Sequence, residues 1–122
     1  MVAEDRRGDA VEYFMTKVVG LPAEFAANAR TQPWWGPTEA IAHTLAYDAR
    51  IMGDYRIPLD LVGSITVPTL VVAGGADMPW MRDTASALAD AIPNGEARFL
   101  DGQGHNVDMT VLAPVLVAFF NR

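Results

Sequence analysis

The stretch Val67-Pro68-Thr69-Leu70-Val71-Val72-Ala73-Gly74-Gly75-Ala76-Asp77 decides how this chain is read, together with a second run, Ala97-Arg98-Phe99-Leu100-Asp101-Gly102-Gln103-Gly104-His105. Each is a short apolar segment that breaks at glycines and then presents one titratable side chain. Thr69 to Ala73 is a continuous β-branched and apolar run, the pattern of a strand covered on both faces. Ala97 to Leu100 predicts a second strand. Between them, Pro79 falls in the first turn of a helix whose inner face is Met81, Ala85, Leu88 and Ile92, ended by Pro93-Asn94-Gly95. Strand, helix, strand predicts a right-handed parallel βαβ unit. Ligands of such sheets gather at the carboxyl ends of the strands. There the acid Asp77 leaves one strand and the imidazole of His105 leaves the next. A carboxylate beside one imidazole nitrogen fixes the tautomer and stabilises the imidazolium, while the other nitrogen works on a nucleophile. Two of the three parts of a catalytic triad are therefore present.

Outward from this unit, a last helix from about Thr110 to Phe120 buries Leu112, Val115, Leu116 and Phe119. Upstream the chain reads as helices with short connections. Asp9 and Glu12 form an expected capping box, followed by Val11, Phe14, Met15 and Val18 at helical spacing. Gly20 stops that helix and Pro22 opens another, with Phe25 and Ala26 facing inward. Past the aromatic cluster Pro33-Trp34-Trp35-Gly36-Pro37, one longer helix is expected to run to about Met52. It would carry Ile41, Leu45, Ala49 and Met52 on one face, and His43, Tyr47 and Arg50 on another. Asp54 to Pro68 is loop-like with one helical turn near Leu59 to Val62. The fold class expected is α/β: a helical segment, 1–66, and a βαβα part, 67–122, in one compact domain.

Composition narrows the partners. The 122 residues suit one domain, and with 51% apolar residues a core is possible. The net charge of −6 and the scatter of eight arginines and one lysine, Lys17, leave no basic stripe for nucleic acid. The chain has no cysteine, which excludes disulfides, thiolate metal sites and a Cys nucleophile. Two histidines, far apart in sequence, argue against a transition-metal site. No cofactor is expected. No apolar run approaches the roughly 20 residues that span a bilayer, and the charged start, Met1 to Arg7, lacks a signal-peptide core. No membrane partner and a cytoplasmic location are the expectations.

At the two strands and their loops the chain resembles the α/β-hydrolase family. Val67 to Asp77 is similar to that fold's seventh strand and acid loop, Ala87 to Gly95 to the helix after it, Gly102-Gln103-Gly104-His105 to its histidine loop, and Ala113 to Phe120 to its closing helix. Residues 9–53 resemble the helical cap. The resemblance covers the chain but only the family's C-terminal half. It implies hydrolysis of an ester, lactone or amide of a small apolar substrate, with His105 as general base and Asp77 as its orienting acid. The family's nucleophile elbow, G-x-S-x-G, is absent from these residues. The serines are Ser64, in Val62-Gly63-Ser64-Ile65-Thr66, and Ser86, inside a helix. The triad is incomplete, the hydrolase reads as truncated, and the isolated chain is expected to be inactive. The chain is then a piece of a longer hydrolase, one half of a two-chain enzyme, or a remnant acting as a non-catalytic dimerising or apolar-ligand-binding module.

Plainer readings stand beside these. Asp77 could cap the following helix; Asp108 caps the last helix and Asp101 serves a turn. His43 reads as a solvated or core-edge helix residue. Trp34 and Trp35 read either as packing within the cap or, with Met78, Trp80 and Met81, as an apolar substrate pocket. The strand at Thr69 has an open edge, so two chains are expected to pair through it, or through an apolar helical face, as a homodimer.

Overall fold

The computed structural model describes all 122 residues, and they form two compact units, Met1–Arg56 and Ile57–Arg122. The division comes ahead of the helical turn near Leu59, which belongs with the βα part and not, as the sequence suggested, with the helical segment.

The first unit contains α1 (Arg7–Tyr13), α2 (Ala23–Ala29), α3 (Trp35–Ile41) and α4 (Leu45–Met52). The capping box does not form. Helix α1 begins two residues before Asp9, and both acids of the expected box bind Arg30 instead: its Nη2 lies 3.1 Å from Asp9 Oδ1 and 2.8 Å from Glu12 Oε2. A guanidinium fork from 18 residues away in sequence outcompetes the local backbone donors. Beyond α1 the chain widens into a π turn over Phe14–Val18, with Val19 N–H donating five residues back to Phe14 C=O at 2.9 Å. The core of this unit is Val11, Ala29, Trp35 and Ala42, with Met15 and Leu45 packed against it.

Three details of the helical reading change. The long helix is two helices joined by a 3-10 turn at Ala42–Thr44. No Gly or Pro falls at the break, which coincides with the burial of Ala42. Ala26 faces inward but Phe25, beside it, is exposed. On α3 and α4, Ile41 and Met52 are exposed although Leu45 reaches the core, so the expected face is only partly covered.

The second unit contains α5 (Leu59–Val62), β1 (Thr69–Gly74), α6 (Pro79–Ala91), β2 (Gly95–Leu100) and α7 (Met109–Phe120). Strands β1 and β2 pair in parallel from Thr69↔Gly95 to Gly74↔Leu100 and form the whole sheet. The βαβ reading holds, with β2 starting two residues earlier than the sequence suggested. Pro79 is in the first turn of α6, and Ala85, Ala89 and Ile92 are buried. Asn94 closes the near end of the sheet: its Nδ2 donates to Thr66 C=O at 2.7 Å and its C=O accepts from Thr69 N–H at 3.0 Å. One expectation fails in degree. Thr69 to Ala73 have the composition of a strand buried on both faces, yet all are only half-buried, and β1 has one unpaired edge. Likewise Leu112, Val115, Leu116 and Phe119 of α7 are half-buried, and no residue of that helix is fully buried.

Candidate active site

The acid and the imidazole stand at the carboxyl ends of adjacent strands and meet. Asp77 Oδ2 is 3.3 Å from His105 Nδ1. The other carboxylate oxygen, Oδ1, accepts from Met78 N–H at 2.7 Å. That bond corrects the capping alternative: Met78, not Asp77, occupies the N-cap of α6, and Asp77 bonds only the N–H next to its own. The Asp77 side chain is 6% exposed and that of His105 is 67% exposed. A buried acid thus anchors the inner edge of an imidazole whose Nε2 makes no hydrogen bond.

Backbone bonds set this geometry. Gly75 N–H donates to Leu100 C=O at 2.8 Å, carrying the ladder one residue past β1. Ala76 N–H donates to Gln103 C=O, also at 2.8 Å, joining the acid loop to the histidine loop. Gly74 lies under the backbone of Gln103 and Gly104 so closely that a Cβ there would overlap both carbonyl oxygens. Arg82 Nη1, on α6, donates to Gly75 C=O at 3.0 Å and braces the acid turn. On the other side, Gln103 Oε1 accepts from Asp108 N–H at 2.8 Å, and Asp108 caps α7 by accepting from Thr110 N–H at 2.7 Å. These Thr110 bonds, to its hydroxyl first and then its backbone N–H, hold the Asp108 carboxyl below its ordinary range. Asp108 is therefore the helix cap the sequence indicated. Gln103 was missed, although a polar residue between two glycines just before the histidine was a usable signal.

The other singled-out residues are placed as follows. Trp35 is buried in the core of the helical unit, beneath the Arg30 guanidinium at 5.1 Å from its ring, while Trp34 is 42% exposed. Met78 and Trp80 lie in the second unit at the start of α6, half-buried and exposed respectively. His43 is exposed, edge-on to Tyr47 with ring centroids 5.9 Å apart. Ser64 Oγ donates to Leu61 C=O at 2.7 Å, at the end of α5. Ser86 is on α6 in a shallow hollow with Arg82, Asp83 and Phe99. Neither hydroxyl bonds to His105. No group of three or more His, Asp or Glu side chains converges as metal ligands, and no helix is long and apolar enough to cross a membrane.

An acid-to-imidazole pair delivered by successive parallel strands, each followed by a packed helix, is the architecture of one part of an α/β hydrolase. Comparison with solved structures agrees. An alpha/beta hydrolase from Sphaerobacter thermophilus DSM 20745 is 51% identical to this chain over 98% of it, with a TM-score of 0.81. The chain spans 46% of that protein's length. The chain belongs to the α/β-hydrolase family and carries part of its fold. No protein-family profile matches it, and no curated protein does.

Proposed function

We propose that this chain supplies the acid–base half of a hydrolase site for an ester, lactone or amide of a small, largely apolar molecule. The serine would come from a segment outside these 122 residues. The observation that carries the reading is the 3.3 Å approach of Asp77 to His105 Nδ1 with Nε2 left free. A serine hydroxyl brought within hydrogen-bond reach of Nε2 gives its proton to the imidazole as the oxygen attacks the carbonyl. The imidazolium is stabilised by Asp77 and returns that proton to the leaving group. Water then repeats the cycle on the acyl-enzyme. The second oxygen of Asp77 is held by Met78 N–H, which fixes the carboxylate against the imidazole. Met78 and Trp80, at the start of α6 just after the acid loop, are candidates for the apolar substrate surface.

The test uses p-nitrophenyl butyrate. The chain alone is expected to give no turnover. Adding the part of the Sphaerobacter thermophilus hydrolase that this chain does not span is expected to restore turnover, abolished by His105→Ala. Turnover by the chain alone that His105→Ala removes would place a nucleophile within it and overturn the reading. So would a folded, inactive mixed complex.

A second reading, a non-catalytic dimerising module, is favoured by the surface of the second unit. Helix α7 contains no charged residue, Val117 and Phe120 on it are exposed, and β1 keeps an unpaired edge. On this reading two chains pair across that edge or that face. A monodisperse monomer by light scattering would remove it.

A further inference from the structure

The helical unit holds a groove of about 440 Å³ that the hydrolase reading does not use. Its apolar wall includes Phe14 and Met15 from the π turn, Ile41 from the end of α3 and Leu45 from α4. Its volume falls in the range of small-molecule sites. The π turn places two large side chains here where a regular helix would have offset them, and such turns recur at binding sites.

Two polar residues on the wall have their bonding capacity free. Thr44 stands at the N-cap of α4, where a threonine hydroxyl ordinarily accepts from the first helical N–H groups, but it makes no such bond. Asp48 is four residues on, on the same helix face. The acids of this unit that form ion pairs are Glu4, Asp5, Asp9, Glu12 and Asp54, and Asp48 forms none. No Lys, Arg or His lines the groove. The hydroxyl of Thr38, the other threonine of the wall, already donates to Trp34 C=O at 2.9 Å. An apolar trough with the Thr44 hydroxyl and one unpaired carboxylate complements a molecule of apolar body and single positive charge.

We infer that this groove binds a small amphipathic amine, its aromatic or aliphatic body between Phe14, Met15, Ile41 and Leu45 and its ammonium group at Thr44 and Asp48. The inference is independent of the hydrolase reading.

The 122-residue chain is titrated with 4-phenylbutylamine, 4-phenylbutanol and 4-phenylbutyrate, and binding is followed by amide and methyl chemical shifts. The amine should bind best and the carboxylate worst, with shifts centred on Met15, Leu45 and Thr44. Asp48→Asn should weaken the amine by about twofold to fivefold, the scale of an exposed ion pair, and leave the alcohol unchanged. Ile41→Lys, at an exposed position, should reverse the order of amine and carboxylate. Equal binding of all three probes, an amine preference that survives Asp48→Asn, shifts centred elsewhere, or no binding would each overturn the inference.

Discussion

Replacing Gly74 by alanine is expected to open the Asp77–His105 contact. Gly74 is the last residue of β1, and the histidine loop crosses directly over its α-carbon. A Cβ there would overlap the carbonyl oxygens of Gln103 and Gly104 and come within 2.9 Å of the Gln103 carbonyl carbon. These are backbone atoms with no rotamer to change, so the loop itself must retreat, by on the order of 1 Å. The Asp77–His105 distance of 3.3 Å is already at the long end for a hydrogen bond. A further retreat of that size breaks it. Overpacking of this kind costs about 1–3 kcal/mol, and a unit of this size loses roughly 4–8 °C of melting temperature per kcal/mol. Urea unfolding followed by circular dichroism measures the stability, and imidazole nitrogen shifts report which ring nitrogen carries the proton. Two neighbours serve as controls. A Cβ at Gly104 meets nothing within 4 Å, so Gly104→Ala should change neither quantity. Gly102 has equal room but a φ of 69°, so Gly102→Ala should cost about 1–2 kcal/mol of backbone strain with the dyad intact. Undisturbed stability and tautomer in Gly74→Ala, or equal damage from Gly104→Ala, would refute this account.

Three further outcomes follow from the packing. Trp35→Ala removes the largest side chain of the helical core and should cost about 3–5 kcal/mol, seen as loss of the helical signal of the first unit; an unchanged helical signal would mean that Trp35 is not the core residue described. Arg30→Ala frees Asp9, Glu12 and the face of Trp35 together, and should lower the melting temperature of that unit by an amount that shrinks in high salt. Glu96 sits between Arg122, the stronger influence, and Arg98, which push its carboxyl down to about 2 from its ordinary 4.5. A carboxylate whose folded value is depressed stabilises the fold above its unfolded value and loses that contribution as pH falls. Stability attributable to Glu96 should therefore be complete above pH 4.5 and fade toward pH 2, and Glu96→Gln should abolish that part of the acid dependence.

The second unit was largely legible in the sequence, and the first was legible only in outline. β1, α6, β2 and α7 carry strong local signals: a β-branched run, a proline in the first helical turn, glycines at the strand ends, an aspartate at a helix start. The nearness of the Asp77 and His105 loops followed from them, because parallel neighbours bring their loops together without help from distant residues; the 3.3 Å contact itself did not. In the helical unit, the deciding interactions are long-range. Arg30 takes Asp9 and Glu12 away from the capping role that their spacing advertised. Trp35 goes inside while Trp34 stays half out, and nothing in two adjacent tryptophans separates them. The π turn at Phe14–Val18 has no Gly or Pro to mark it. The half-exposure of Thr69 to Ala73 is of another kind. Their composition fits a strand at the centre of a larger sheet, and the sheet here has two strands.

The hydrogen bonds that knit the acid loop to the histidine loop have a consequence for inheritance. Asp77 and His105 are 28 positions apart, and every bond that aligns them lies between Gly74 and Thr110. Acid and base are therefore linked genetically as well as physically. A recombination anywhere before β1 moves them as one block, already aligned.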